Sequence, residues 1–368
     1  MAAYGLANTT TNTTQGNITG GSSYGDLSKN DAFTIQKRML PIAKRLLTFA
    51  KFAQKETKPQ KQGLEIRHRR YERFPIVDTP IAEGVTPDFT TIDQTTMMHT
   101  LKQYGSYVNT TDVMLAASTD PLVQITTERQ AQQAGETLDF LAYKVFRAGT
   151  SVTYSDDATS RVTTIKNVNG AACVRGAPPA GTNTNFDAAI RSLEQNDAKK
   201  IRKKLRASVG IATEPIRESY IGICHPDLRQ DLEANASFIS VEKYSNTGDA
   251  MEGEIGSVAG VRIITTTQAV PWKNAGATAT AGSGVRNQVT SDDTSADIYP
   301  LIILAQDFGG CATLGGMDSL RSKIHAPSVG PGDPLGQRGS IAWDTFYSCI
   351  ILQDLWMYRI ECAATATA

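Results

Sequence analysis

Residues 61–112 make an arm that has little of its own to fold around. GLEIRHRRYERF (63–74) alternates in the manner of a strand, and so does MMHTLKQYGSYVNTTD (97–112). Between them runs a Pro- and Gly-punctuated tip, PIVDTPIAEGVTPDFTT (75–91). A two-stranded ribbon of this kind is only marginally stable in water. It has to lie on something, and no neighbouring segment of the sequence offers a partner.

At 368 residues the chain is long enough for about two domains and for a core that needs no staples. Lysine plus arginine and aspartate plus glutamate balance at 37 each, which argues against a wholly basic nucleic-acid binder. The five cysteines, Cys173, Cys224, Cys311, Cys349 and Cys362, are far apart, odd in number and without a CxxC pair. Reduced, buried thiols are expected, not a disulfide framework or zinc site. Asn-x-Ser/Thr triplets occur at Asn8, Asn12, Asn17, Asn109 and Asn235, but no signal-peptide pattern precedes them. No apolar run approaches the ~20 residues of a membrane span. A protein made in a cytoplasm, without membrane contact, is expected.

Along the chain, residues 1–30 are rich in Thr, Asn and Gly and are expected to be disordered on their own. From Asp31 to Lys55, Phe33, Met39, Ile42, Leu46, Phe49 and Phe52 recur among lysines and arginines, which predicts an amphipathic helix bent at Pro41. The strongest helix is predicted from Asp120 and Pro121 to Gly149, with Leu122, Ile125, Ala131, Ala134, Leu138, Leu141 and Val145 on one face. A second helix is predicted from Phe186 to Leu205. Then come a buried strand YIGIC (220–224), a short helix in HPDLRQDLEAN, a strand at VRIITTT, and another at YPLIILA. Residues 271–297 read as a long polar loop. The region 186–335 is thus a candidate α/β domain. After the turn DPLGQRG (333–339), SIAWDTFYSCIIL alternates: Ile341, Trp343, Tyr347, Cys349 and Ile351 take one face, and Phe346, Ile350 and Leu352 the other. LWMYRIEC follows as a last strand, with Trp356, Tyr358, Ile360 and Cys362 on one face.

Local chemistry is sparse. DPLGQRG lacks phosphate-loop spacing and precedes a strand, so it reads as a hinge turn whose Arg338 makes a salt bridge. Cys224 and His225 are adjacent on a strand and point to opposite faces, which spoils them as a nucleophile–base pair. His68, His99, His225 and His325 have no metal-ligand spacing, and Asp292, Asp293 and Asp297 do not form a calcium loop but a solvated one. No catalytic residue, cofactor or metal site is expected. Two basic clusters remain: Arg67, Arg69, Arg70 and Arg73 on the arm, and Lys199, Lys200, Arg202, Lys203, Lys204 and Arg206 at the predicted end of the second helix. The helix dipole partly accounts for the latter. Intersubunit salt bridges and sequence-independent phosphate contact are both open to these clusters.

Six stretches in order resemble major capsid proteins of tailed bacteriophages, in particular those of N-four-like phages, which have the Hong Kong 97 capsid fold. They are RRYERFPIVDTPIAEGVTP (69–87), LKQYGSYVNTTD (101–112), DPLVQITTERQAQQAGETLD (120–139), HPDLRQDL (225–232), GEIGSVAGVRIITTTQA (253–269) and DPLGQRGSIAWDTFYSCIILQDLWMYRIE (333–361). The resemblance implies an α+β fold of five parts. These are an N-terminal arm (1–60), an extended β-hairpin loop over a neighbour (61–112), a peripheral domain with a spine helix (113–185), an axial domain (186–335), and terminal strands returning to the peripheral domain (336–368). It implies a non-enzymatic subunit that self-assembles as pentamers and hexamers into an icosahedral shell around double-stranded DNA, assembled in the bacterial cytoplasm and residing in the virion. Portal, scaffolding and decoration proteins are the implied partners, and packaged DNA a sequence-independent one. Arg67, Arg69, Arg70, Arg73, Glu83 and Arg338 are the interface candidates, and Lys199, Lys200, Lys203 and Lys204 are the candidates for facing DNA. A cellular nanocompartment shell of the same fold, enclosing cargo protein, is the alternative.

Overall fold

Strand segments that are apolar at every position must be covered on both faces, and two of them, residues 220–224 and 298–304, organise the larger of the two compact units into which the chain divides. The computed structural model describes residues 48–81, 83–84, 86, 89–117, 122–155, 158–175, 183–205, 213–244, 250–278, 284–286, 295–315, 321–329 and 332–366. The expectations for residues 1–30, for the helix over 31–47, for the Asp120–Pro121 cap and for Asp292 and Asp293 lie outside them. Among the described residues one unit holds Tyr107–Glu128 and Ile324–Ile341, and the other holds 48–106, Arg129–Lys323 and the chain from Ala342 on.

In chain order the elements are α1 (Phe49–Phe52), β1 (Gln54–Lys58), β2 (Glu65–Tyr71), β3 (Gln94–Thr100), β4 (Lys102–Thr111), α2 (Asp112–Ala117) and α3 (Leu122–Phe146). There follow β5 (Val152–Tyr154), α4 (Thr184–Gln195), β6 (Ile201–Leu205), β7 (Thr213–Cys224), α5 (Arg229–Glu233), β8 (Ile239–Ser240), β9 (Glu254–Val258) and β10 (Val261–Thr265). The chain finishes with β11 (Ile298–Leu304), β12 (Gly309–Leu314), β13 (Arg321–His325), β14 (Arg338–Ile351) and β15 (Met357–Ala363). The 25 residues of α3 span about 37 Å.

The larger unit is built on a mixed sheet in the order β5-β15-β11-β7-β10-β9-β8, with β6 also on β7. Strand β7 runs parallel to β10 and antiparallel to β11, and β15 runs antiparallel to β11 and parallel to β5. The two-residue period sorts the side chains. Tyr220, Cys224, Tyr299, Leu301 and Ile303 face a layer supplied by Phe186, Ala189 and Leu193 of α4 and Leu232 of α5. Ile221, Ile223, Ile302 and Leu304 face the other way, onto Phe49 of α1 and Ala142, Tyr143 and Phe146 of α3. The two layers of helices and the two strands between them thus follow from apolar spacing.

A second sheet runs β1-β12-β14-β13, with β4 also paired to β14. Alternation along β14 is as expected: Ile341, Trp343 and Tyr347 are buried. The two last strands, however, go to different sheets, β14 to this one and β15 to the other. The 97–112 stretch is likewise two strands. Leu101 is buried, its N–H bonds to the Leu64 carbonyl at 2.9 Å to close the β2–β3 ribbon, and β4 then pairs elsewhere.

Two expectations need correction. The second helix ends at Gln195, not Leu205, and residues 201–205 are a strand on β7. The stop is a left-handed turn: Asp197 has φ 53°, its N–H bonds to the Glu194 carbonyl, and the Ala198 N–H reaches Leu193. The 271–297 segment, where described, is for the most part packed, with Lys273, Asn274 and Thr278 exposed. Trp272 pairs with Ile298, Ala275 and Val285 join Ala296 and Ala363 in a small apolar cluster, and Asp297 is fully buried with the Asn274 N–H on its carboxylate at 2.8 Å.

The smaller unit contains the DPLGQRG segment, which is a turn leading into a strand. The Gly336 N–H bonds to the Asp333 carbonyl at 3.1 Å, and Gly336 takes φ 66°, a conformation natural to glycine. The Asp333 carboxylate then receives the Arg338 N–H at 2.7 Å. The turn is locked by its own backbone. The Asp112 N–H reaches the Gln337 carbonyl at 3.1 Å in the same unit.

Candidate assembly interface

The β2–β3 ribbon pairs in register from Glu65 opposite Thr100 to Tyr71 opposite Gln94. One face of β2 (Glu65, Arg67, Arg69, Tyr71) is exposed, and the other (Ile66, His68, Arg70) is half-buried. Beyond the paired residues, the described part of 72–93 forms a strap of irregular chain. On it Phe74, Ile76, Val77, Ile81, Phe89 and Ile92 are 55–92% exposed. Solvated alone, that apolar surface is unfavourable by roughly 25 cal/mol per Å². A concentration of large exposed apolar side chains on a weakly supported ribbon marks a surface that binds protein.

The arginines of the arm do not all wait for an outside partner. Arg67 pairs with Glu65 at 3.2 Å and Arg70 with Glu72 at 2.8 Å. The bonds from Arg70, then from Thr95, hold the Glu72 carboxyl below its usual range. Arg73 meets Asp197 at 2.8 Å, with both side chains largely exposed. Exposed pairs of this kind contribute little and exchange partners readily. Arg69 and Glu83 are exposed, Glu83 in a turn beside Gly84 at φ 78°. Arg338 is exposed at the start of β14.

The lysines take other positions than a helix end. Lys199 is exposed, and its carbonyl accepts the Gln306 N–H at 2.8 Å. Lys200 pairs with Glu194 at 2.9 Å and lies over the Tyr220 ring. Lys203 and Lys204 are opposite Pro215 and Glu214 in the β6–β7 ladder. A helix dipole therefore does not account for them.

Acid–base and thiol chemistry finds little to work with. Cys224 is fully buried, and burial pushes its thiol up to about 12. His225 is used locally, its Nδ1 accepting the Asp227 N–H at 3.2 Å. Among the described residues no group of three or more His, Cys, Asp or Glu side chains is arranged to hold a metal ion. No helix among them is long and apolar enough to cross a membrane. What the sequence reading missed is a pairing: His68 and His99, 31 residues apart, face each other at 3.2 Å across the ribbon. Only the hairpin register brings them together.

Comparison with known proteins gives this arrangement a context. The major capsid protein of Pseudomonas phage KPP21 is 28% identical over 213 residues, 53% of this chain. The matched part spans about half of that relative, 52% of its length. The fold matches the capsid of Ralstonia phage GP4 with a TM-score of 0.60 at 11% identity, covering 94% of this chain and 98% of that one. It matches the capsid of cyanophage P-SCSP1u at 0.58 and 12% identity, covering 90% and 93%. The fold is thus the α+β, Hong Kong 97-type fold of phage capsid subunits. The phage capsid protein family matches residues 94–360, nearly three-quarters of the sequence, and the chain belongs to that family.

Proposed function

We propose that this chain is a major capsid protein whose copies assemble, as pentamers and hexamers, into the icosahedral shell that encloses phage double-stranded DNA. The observation that carries the proposal is the strap at 72–93, on which Phe74, Ile76, Val77, Ile81, Phe89 and Ile92 are left exposed among the described residues. Family membership supplies the partner: another copy. In this reading 61–112 is the extended loop laid over a neighbour, α3 is the spine of a peripheral domain, and 186–335 is the body of the axial domain. Residues 1–60 are the N-terminal arm, and 336–368 rejoin the peripheral domain through β14. Arg67, Arg69, Arg70, Arg73, Glu83 and Arg338 line the subunit contacts, the paired arginines trading their exposed partners for a neighbour's carboxylates. Lys199, Lys200, Lys203 and Lys204 face the packaged DNA. A portal, a scaffold and a decoration protein complete the particle, which forms in the host cytoplasm.

Sedimentation velocity on the expressed chain, with electron microscopy of any fast fraction, tests the proposal. Closed hollow particles, with or without an added scaffold, are expected. A compact monomer in which the strap at 72–93 resists protease would overturn it, because a strap already protected needs no neighbour.

A further inference from the structure

The half-buried face of the β2–β3 ribbon carries four groups in a line. Glu56 Oε1 of β1 is 3.4 Å from His68 Nδ1, His68 Nε2 is 3.2 Å from His99 Nε2, and His99 Nδ1 is 3.1 Å from Ser348 Oγ of β14. The line joins both ribbon strands to two strands of the second sheet. We propose that Glu56, His68, His99 and Ser348 form a proton-operated latch that holds the base of the ribbon on β1 and β14 at neutral pH and releases it on acidification.

Donors and acceptors in the line match only for a limited number of protons. With both rings neutral, His68 Nδ1–H donates to the Glu56 carboxylate, His99 Nε2–H donates to His68 Nε2, and the Ser348 hydroxyl donates to His99 Nδ1. Every site is satisfied. One proton more is accommodated: His68 Nε2 takes it beside the Glu56 carboxylate and donates to His99 Nε2, while His99 carries its own proton on Nδ1 and the Ser348 hydroxyl turns to accept. A second proton must go to His99 Nε2. Two N–H groups then point at each other across 3.2 Å, and two cations share a half-buried site.

The surrounding charges sharpen this limit. From β1, Lys58 donates to the Glu65 carbonyl and adds a positive charge, while Glu56 is the one carboxylate in the line. On β2 the same-face neighbour Arg70 is already paired with Glu72. β14 contributes the uncharged Ser348. Burial first, then the charges of His68 and Lys58, push His99 down to about 4. Charging the second ring therefore belongs to distinctly acidic conditions, well below the ordinary range of histidine.

Hydrogen–deuterium exchange of 65–71 and 94–100, followed from pH 7.5 to 4 and corrected for intrinsic rates, tests the latch in the full chain whether or not particles form. Wild type is expected to lose about tenfold or more of its ribbon protection below about pH 5, since opening is local. H99Q, which can still bond but cannot titrate, is expected to show no such step. Protection that stays flat to pH 4, or an equal step in H99Q, overturns the latch. If H99Q fails to order the ribbon, ring-labelled histidine spectra of wild type decide. The His99 signal is expected to stay that of a neutral ring at pH 5.5, and titration at an ordinary histidine value overturns the proposal. Neither readout depends on assembly, so failure here leaves the shell reading intact.

Discussion

Arg161 grips the buried carboxylate of Glu361 at two points, Nε to Oε2 at 2.7 Å and Nη2 to Oε1 at 2.8 Å. Glu361 lies on β15 with no exposure, and Arg359 adds a third bond at 2.8 Å. The second cation is absorbed by its surroundings: Arg359 also donates to the carbonyls of Arg147 and Gly149. The Trp272 ring lies 3.8 Å from the Arg161 guanidinium carbon and 4.7 Å from that of Arg147. One carboxylate thus ties the loop at 158–163 and the end of α3 to the last strand. Removing it leaves Arg359 buried beside Arg161 with no counter-ion. E361A is expected to lose about 3–5 kcal/mol of unfolding free energy, read as a fall in the urea midpoint at unchanged slope.

Local pairing is legible in the sequence, and distant pairing such as this is not. Strands β7 and β11 were legible because Tyr220–Cys224 and Ile298–Leu304 are apolar on both faces, a pattern that leaves few other folds. The end of α4 was not. IRKKL continues a helical mixture of apolar and basic residues, and its strand state depends on pairing with β7 and on the Asp197 turn. Trp272 sits in a stretch that looks mostly polar, and its partial burial comes from an apolar cluster and three arginines that are distant in sequence. The exposed arm was legible from its alternating strands, although its seat on β1, the strand just before it, was not foreseen. Its histidine relay was not, because register cannot be counted before the hairpin ends are known.

Gly105 marks where β4 approaches β14 closely. A Cβ added there would stand 2.7 Å from the Trp343 carbonyl oxygen and 3.4 Å from the Asp344 Cα, both backbone atoms that cannot step aside. G105A is expected to destabilise by about 1–3 kcal/mol through forced separation of the strands. Thermal unfolding measures it, with the exposed glycine variant G260A unsuitable as a control because of its φ of 84°. G332A, where a Cβ meets nothing, is the proper comparison.

Asp139 offers a test in which the sign of the pH dependence matters. Its Oδ1 accepts the N–H groups of Thr48 and Ala50 at 3.1 and 3.0 Å, fixing the start of α1. Burial raises its pKa from 3.8 despite these bonds. The native state therefore holds the proton more tightly than the unfolded chain. Its contribution is most favourable below about pH 3.8 and declines as pH rises through the native value. Asn at 139 keeps an acceptor oxygen and sheds the charge, so D139N is expected to gain on wild type as pH rises from 3 to 7. D139L, with no acceptor, is expected to lose about 1–3 kcal/mol at either end. Urea midpoints at pH 3, 5 and 7 give both comparisons.

The strap separates folding from assembly. Ile76 is 92% exposed and Phe89 is 89% exposed, so neither contributes appreciable burial to its own subunit. Replacing either by aspartate is expected to leave the unfolding midpoint within about 0.5 kcal/mol of wild type. In a contact between copies the same change places a charge in an apolar seam, where it is strongly unfavourable unless paired. I76D and F89D are therefore expected to yield stable subunits that sediment slowly and form no closed particles, and the double variant to do so under any scaffold condition. Particles forming normally from I76D/F89D would remove the strap from the interface. Loss of subunit stability would instead place these side chains in the subunit's own core, against their exposure.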